Sequence, residues 1–389
     1  MKIVALVSTL DLKYRLGCTS AWWQLFKALY ENGNEVIAVP YLGVPIESLW
    51  WRTYPNPCTR ESIAYNYLLE QRKKRGVSPS KNNILSPGYN YIIQHYIRPK
   101  WKTHLFNILS REKGTDALLV MNIPMSHING IPTSVKQEFG IPTIYYDGDA
   151  PTSLPKYTVN RGFKFNYYLG ANLSEYSAFL VNSEGCVDDL KEMGASNIYT
   201  FQFGIDPQIA FPINVKKDID VSFFGYGSDF REEWMKKLIT IPSMMLPDVK
   251  FAVAGTGFKV NLGKAELMGD LSYSEWTRFS SRSKINLNIT RWSHTSVYAS
   301  STLRPFELAA FGACIISQPY NGIEKWFEIG KELIVVNDEN EAVEAYKYLL
   351  GNQEKREEFG HNARNRILKE HTYRNRATQL VNIISAHKT

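Results

Sequence analysis

The sequence predicts an α/β protein of two doubly wound, Rossmann-like domains that face each other across a cleft. Three observations carry that expectation. Short apolar runs alternate with amphipathic helical stretches through both halves, the pattern of parallel sheets covered on both faces. The alternation breaks once, at Phe203-Gly204-Ile205-Asp206-Pro207 through Phe211-Pro212, where turn residues cluster. A length of 389 residues exceeds one ordinary core and suits two.

In order, the first half reads as strand 3–8, helix 20–32 closed by Gly33 as a C-cap, and strand 35–40. Residues 41–100, rich in proline and aromatics, read as an insertion with one or two helices. Strand 117–122, helix 133–139, strands 143–146 and 178–182, helix 186–193 and strand 198–201 follow. The second half reads as strand 219–224, helix 231–238, strands 250–254 and 284–289, helix 305–311, and strands 314–317 and 333–336. Long helices 341–349 and 354–371 complete it. The expected domains are therefore 1–213 and 214–371, with 372–389 a closing helix that packs back toward the first. In open parallel sheets ligands bind outside the carboxyl ends of the strands, so two facing sheets can hold one substrate each.

Composition narrows the function classes. Hydrophobic residues at 44% and charged residues at 21% exclude wholesale disorder. The net charge of +7 is spread through the chain, and no nucleic-acid-binding pattern of aromatics or glycines accompanies it. Its densest run, Arg72-Lys73-Lys74-Arg75, reads as a solvated helix end or as a phosphate or anionic-lipid patch, which leaves peripheral membrane contact open. The cysteines Cys18, Cys58, Cys186 and Cys314 form no CxxC pair, which argues against a zinc site or disulfide framework and for a reducing compartment. Residues 1–7 read as a buried strand, and no apolar run reaches 18 residues. The expected location is the cytoplasm.

The chemistry concentrates in Ser300-Ser301-Thr302-Leu303-Arg304-Pro305-Phe306-Glu307. Pro305 suits the first turn of a helix, and Gly312 closes it. A helix start preceded by the hydroxyls of Ser300 and Thr302 suits a diphosphate, with Arg304 as a bidentate donor at the same mouth. Glu307, one turn in, can accept both hydroxyls of a ribose diol; the alternative is that it complements the helix dipole. Pro305 and Phe306 complete this group of candidates. Gly225-Tyr226-Gly227-Ser228 lies between strand and helix, where backbone amides can approach phosphate, with Arg231 a phosphate partner. A second turn at Gly255 would lie near the base, and Arg291 at a strand end near the diphosphate. On the N-terminal side Gly17 opens the first helix. Asp147-Gly148-Asp149 ends an apolar strand and reads as base, acceptor anchor or metal ligands, or as a tight turn. His127 is a further candidate in the loop after another strand.

From about Asp220 onward the chain resembles the C-terminal domain of GT-B glycosyltransferases, most of all the CgeB-like group related to glycosyltransferase family 4. The carriers are Arg304-x-Phe306-Glu307-x2-Ala310-x-Gly312, Ile323-Glu324-x-Trp326-Phe327-x2-Gly330-Lys331-Glu332, and Arg364-x5-Glu370-His371-Thr372-Tyr373-x2-Arg376. The N-terminal half matches more loosely, through Tyr146-Asp147-x-Asp149-Ala150-Pro151 and the 203–212 linker. The resemblance implies a GT-B architecture and sugar transfer from a nucleotide-diphosphate donor, held by the C-terminal domain, to an acceptor of unspecified class. It also implies that Glu307 holds the donor ribose and that a glycine loop near Gly17 adjoins the transferred sugar. It departs at Ala299, where family 4 has a second glutamate, so retaining stereochemistry is not carried over. Chemistry is expected to rest on Arg304, Arg291 and the helix dipole at the departing diphosphate, with Asp147 or Asp149 on the acceptor side and no metal or cofactor. The alternatives are a nucleotide-sugar epimerase or hydrolase on the same scaffold, and a catalytically silent glycan- or partner-binding protein. A metal-binding Asp-x-Asp reading of Asp147 and Asp149 is set aside, because the nucleotide signals sit in the other half.

Overall fold

A computed structural model of the chain describes residues 1–11, 21–61, 63, 87–158, 167–227 and 231–388. The candidates Gly17 and Ser228 and the 72–75 basic run lie outside the described residues. Two all-parallel sheets form. The first contains β1 (Lys2–Thr9), β2 (Glu35–Leu42), β3 (Arg52–Thr53), β4 (Ala117–Met121), β5 (Thr143–Asp147), β6 (Ala178–Val181) and β7 (Ile198–Thr200). Its order is β3-β2-β1-β4-β5-β6-β7. The second contains β8 (Ile219–Phe224), β9 (Phe251–Ala254), β10 (Glu266–Leu267), β11 (Ser283–Asn288), β12 (Ile315–Ser317) and β13 (Ile334–Val335), in the order β10-β9-β8-β11-β12-β13. Each sheet therefore reverses its direction of growth beside its own first strand, between β1 and β4 and between β8 and β11.

Strands that are apolar on consecutive positions feed two cores at once, because alternate side chains point to opposite faces. In β1, Val4 and Leu6 join one cluster, while Ile3, Ala5 and Val7 join the other. The second sheet divides likewise, with Val221 and Phe223 of β8 in one cluster and Phe224 in the other. The Tyr373–His387 helix crosses back to the first sheet. Its Tyr373, Ala377, Leu380, Ile383 and Ile384, spaced for one helical face, share a cluster with Trp22, Phe26 and Val7. The two chain crossings between halves run side by side, as Ile205 N–H donates to the His371 carbonyl at 2.9 Å and Tyr373 N–H to the Ile205 carbonyl at 3.0 Å.

Several expected elements shift. The helix expected at 231–238 begins at Glu232 and runs through a wider turn, Lys236–Thr240, into Ile241–Met245. The helix expected to start at Pro305 starts at Leu303, which places Pro305 in its third position, where an amide hydrogen still has no intrahelical partner. The Arg98–Arg111 and Tyr273–Arg282 helices were not expected, although Ser272 and Glu275 form a capping box that the sequence displays. Among the described residues no helix is long and apolar enough to cross a membrane.

Leu380 is fully buried on the returning helix. Leu380→Ala should cost about 2–5 kcal/mol of stability, read as a lower denaturant midpoint in chemical unfolding.

Candidate active site at the facing switch points

Strand order reverses once in each sheet, and at such points the loops on either side part to leave a crevice. Here both crevices open into one cleft of about 500 Å³, in the range of small-molecule sites. Ser8, at the carboxyl end of β1, and Asn122, after β4, line it from the first sheet; Gly225 and Thr290, after β8 and β11, line it from the second. Thr302, Arg304 and Glu307 add the start of the Leu303–Ala310 helix.

Arg304 is held flat by aromatic rings, its guanidinium carbon 4.0 Å from the Trp276 ring centroid and 4.8 Å from that of Phe224. Its Nη1 lies 3.4 Å from Glu307 Oε2. Glu307 is 1% exposed, and its second oxygen, Oε1, is buried with no hydrogen-bond partner among the described residues. Burial pushes its carboxyl up to about 7 against the pull of Arg304. Thr302 Oγ1 is likewise buried and unpartnered, and the Thr302 side chain does not cap the helix it precedes. Orphaned polar atoms at the wall of a cleft call for a ligand that supplies the missing partners.

Two more cations face the same space. Arg231 donates from Nε to the Ile289 carbonyl at 2.7 Å and from Nη1 to the Tyr226 carbonyl at 2.8 Å, bridging the loops on either side of the second switch point. Arg291 precedes the short Trp292–Thr295 helix that carries His294 into the cleft wall. His294 Nδ1 is 2.7 Å from Ser300 Oγ; burial, then Arg291 and Arg231, press its pKa down to about 3, so the ring is neutral. Opposite, Asp149 lines the N-terminal wall and accepts from Tyr167 Oη at 2.7 Å. Burial and then the charge of Asp147 push Asp149 up to about 6, opposed by Tyr167 and, across the cleft, by Arg291.

Not every expected residue arrives here. Asp147 is 1% exposed and turned into the N-terminal core. Its carboxylate accepts from Asp149 N–H at 2.9 Å, Ser153 Oγ at 2.5 Å and Tyr168 Oη at 2.5 Å, so it braces the turn and does not line the cleft. His127 is buried against Tyr41, whose hydroxyl contacts Nδ1, and burial lowers its pKa to about 4. Ser300 is fully buried and bonded to Ser183 and His294, at the seam between halves. Phe306 stacks on His371 at 5.2 Å inside the C-terminal core, and Pro305 is buried beside it. Of the two glycine turns in the second half, Gly225 lines the cleft, whereas Gly227 and Gly255 do not. A Cβ on Gly227 would meet the Phe258 ring at 2.0 Å, and one on Gly255 the Gly225 carbonyl oxygen at 1.9 Å, so both are glycines because two loops pack together. His294, Trp276 and Asn122 were missed. Asn122 and His294 had a signal, their positions at or beyond a strand end.

The two sheets, their facing switch points and the helix that returns to the first domain make this a GT-B fold. Residues 231–382 match a family model described as glycosyl transferase-like. No curated protein sequence matches the chain. Among solved structures it is similar to sucrose-phosphate synthase (tll1590) from Thermosynechococcus elongatus, with TM-score 0.66, 14% identity and 99% of both chains covered. It is also similar to Anabaena Alr3699/HepE in complex with UDP and glucose, with TM-score 0.61 and 10% identity over 98% of this chain and 99% of that one. The same protein in complex with UDP-glucose gives TM-score 0.59 and 10% identity over 99% of both chains.

Glu307 yields a stability test. Its folded pKa, about 7, lies above the ordinary glutamate value of 4.5, so between those values the folded state holds a proton that the unfolded state has released. Stability must then fall as pH rises through that window. Denaturant midpoints from pH 5 to 8 should show the wild type losing stability relative to Glu307→Gln.

Proposed function

We propose that the protein is a glycosyltransferase that takes a nucleoside-diphosphate sugar in its C-terminal domain and an acceptor hydroxyl in its N-terminal one. The observation that carries this reading is Glu307 Oε1, a buried carboxyl oxygen without a partner beside the ring-held Arg304, inside the segment that matches the glycosyl transferase-like model. A ribose diol would supply the missing donors, and the diphosphate would meet Arg231, Arg291, Arg304 and the adjoining helix start. The complexes of Alr3699/HepE with UDP and with UDP-glucose support a ligand of this class. Residues 1–213 then form the acceptor side and 214–371 the donor side. Asp149, across from the arginines, serves the acceptor: it deprotonates the attacking hydroxyl if the reaction inverts and orients it if the reaction retains. A pKa of about 6 suits a base working near neutrality.

A thermal-shift panel of UDP, GDP, dTDP and CDP identifies the base, since a ligand of the folded state raises its melting temperature. Glu307→Ala should weaken the selected nucleotide by about 1.5–3 kcal/mol, roughly tenfold to a hundredfold, in calorimetry. Unchanged affinity in a folded variant would remove Glu307 from the site. Turnover of the donor should require an acceptor; conversion of donor alone would mean an epimerase or hydrolase, and none at all a binding protein.

Asp149→Asn should depress kcat by roughly 10²- to 10⁴-fold while donor affinity holds, because the donor wall is untouched. The wild-type kcat/KM profile should fall below about pH 6, where the Asp149 carboxylate takes up its proton. A fully active Asn variant would reduce Asp149 to a turn residue.

The arginines supply the charge that a divalent ion would otherwise bring to the diphosphate. Activity should therefore survive EDTA dialysis; a collapse restored by manganese or magnesium would revive a metal role for the acidic turn.

A further inference from the structure

His294 is 6% exposed and forms part of the cleft wall. Its Nδ1 stands 2.7 Å from the hydroxyl of Ser300. That hydroxyl is itself sealed from solvent and accepts a hydrogen bond from Ser183 Oγ, on the N-terminal half. The Ser183 hydroxyl also reaches the Ala150 carbonyl at 3.3 Å, but its shorter contact is with Ser300, and with the Ser183 proton given there the Ser300 proton goes to His294 Nδ1. Nδ1 therefore accepts. In a neutral imidazole the single N–H then sits on Nε2, an atom with no hydrogen bond among the described residues, on a ring that lines the cleft. The ring thus faces the cleft as a fixed, uncharged donor. Its strongest charged neighbours are Arg291 and Arg231, against which an anion entering the cleft would settle.

We propose that His294 binds the nucleoside-diphosphate donor by giving its Nε2–H to a diphosphate oxygen, with Ser300 as the positioning residue that fixes the tautomer. The inference rests on the reading of the cleft as a nucleotide-sugar site, and it goes beyond that reading by adding a neutral donor among the arginines. An uncharged N–H adds a directed hydrogen bond without adding to the repulsion among three guanidinium groups that crowd one space.

Two measurements test it. Nitrogen-15 NMR of histidine-labelled protein, with the His294 signal among the seven histidines assigned by its loss in His294→Gln, reports which ring nitrogen carries the proton. The wild type should show protonated Nε2 and bare Nδ1, and Ser300→Ala a mixture of tautomers. Calorimetry with the nucleoside diphosphate chosen by the thermal-shift panel then compares two amide replacements. His294→Gln, whose amide reaches the Nε2 position, should keep most of the affinity. His294→Asn, whose amide falls at the Nδ1 position, should lose about tenfold. Protonated Nδ1 in the wild type, or equal affinity in the Gln and Asn variants, overturns the inference. If the wild type binds no nucleoside diphosphate, the reading of the cleft fails and the proposed contact with it, while the tautomer result shows separately whether Ser300 orients the ring.

Discussion

The cleft depends on a short strip of backbone pairing between the two halves. Residues 182–185, after β6, run antiparallel to residues 298–301: Ser301 N–H donates to the Asn182 carbonyl at 3.0 Å, Glu184 N–H to Ala299 at 3.2 Å and Gly185 N–H to Tyr298 at 3.0 Å. Ser183 and Ser300 are fully buried there, so these amides and hydroxyls must pair with each other because water cannot reach them. Gly185 is required by closeness rather than by its turn, since a Cβ would lie 2.8 Å from Val297 Cγ1 and 2.9 Å from the Tyr298 amide nitrogen. The strip leads directly into Thr302 and the Leu303–Ala310 helix. The N-terminal half thereby fixes where the donor-side helix begins, and Asp149 and Arg291 come within electrostatic reach of each other.

With that frame set, the C-terminal wall of the cleft stores unfavourable electrostatics that a ligand can relieve. Three guanidinium groups line one space, a buried carboxyl is held against its ionisation, and two buried oxygens lack partners. None of these terms favours folding. All become favourable when an anion with hydroxyl donors enters, which is the preorganisation that makes a site bind rather than merely pack. Trp276 and Phe224 hold Arg304 against their faces, which restricts its rotamers before any ligand contact is made.

The fold was legible because the inner strands of both parallel sheets are buried and mostly apolar, whereas the two-residue edge strands β3 and β10, Arg52–Thr53 and Glu266–Leu267, carry no apolar run and were not expected. Strand ends then pointed to Gly225, Arg291 and Asp149, the glycine loop to Arg231, and the helix start to Thr302, Arg304 and Glu307, all of which line the cleft. The errors have local causes. Arg304 and Glu307 are three residues apart and share a helix face, whereas Phe306 lies well around the helix and faces the core; the 3.6 period contained that answer. Asp147 and Asp149 bracket a turn, and nothing local distinguishes them, because Tyr168 and Ser153 decide which one is consumed inside. Ser300 was unreadable for a different reason: its partner Ser183 is 117 residues away. The glycine turns at 225–227, expected at phosphate, and at Gly255, expected near the base, are in good part a contact between two loops.

Ala299 shows how deeply the one departure from the resemblance is built in. The resemblance implies a glutamate at this position, eight residues before Glu307. Here the residue is fully buried, has φ of 45°, and belongs to the same apolar cluster as Phe306 and Trp326. Its N–H donates to the Asn321 carbonyl at 2.9 Å, and a Cβ on Gly322 would approach its nitrogen at 2.2 Å, so glycine and alanine fit together there. A longer side chain would carry a carboxylate among apolar groups, at a desolvation penalty, on a backbone that already disfavours anything but glycine or a small residue. The loss of that carboxylate is therefore matched by its packing surroundings. Among the described residues the acidic groups that line the cleft are Glu307, beside Arg304, and Asp149 on the opposite wall. Where the resemblance implies two carboxylates on one wall, the described residues therefore present one, and the other acidic group faces it from the first domain.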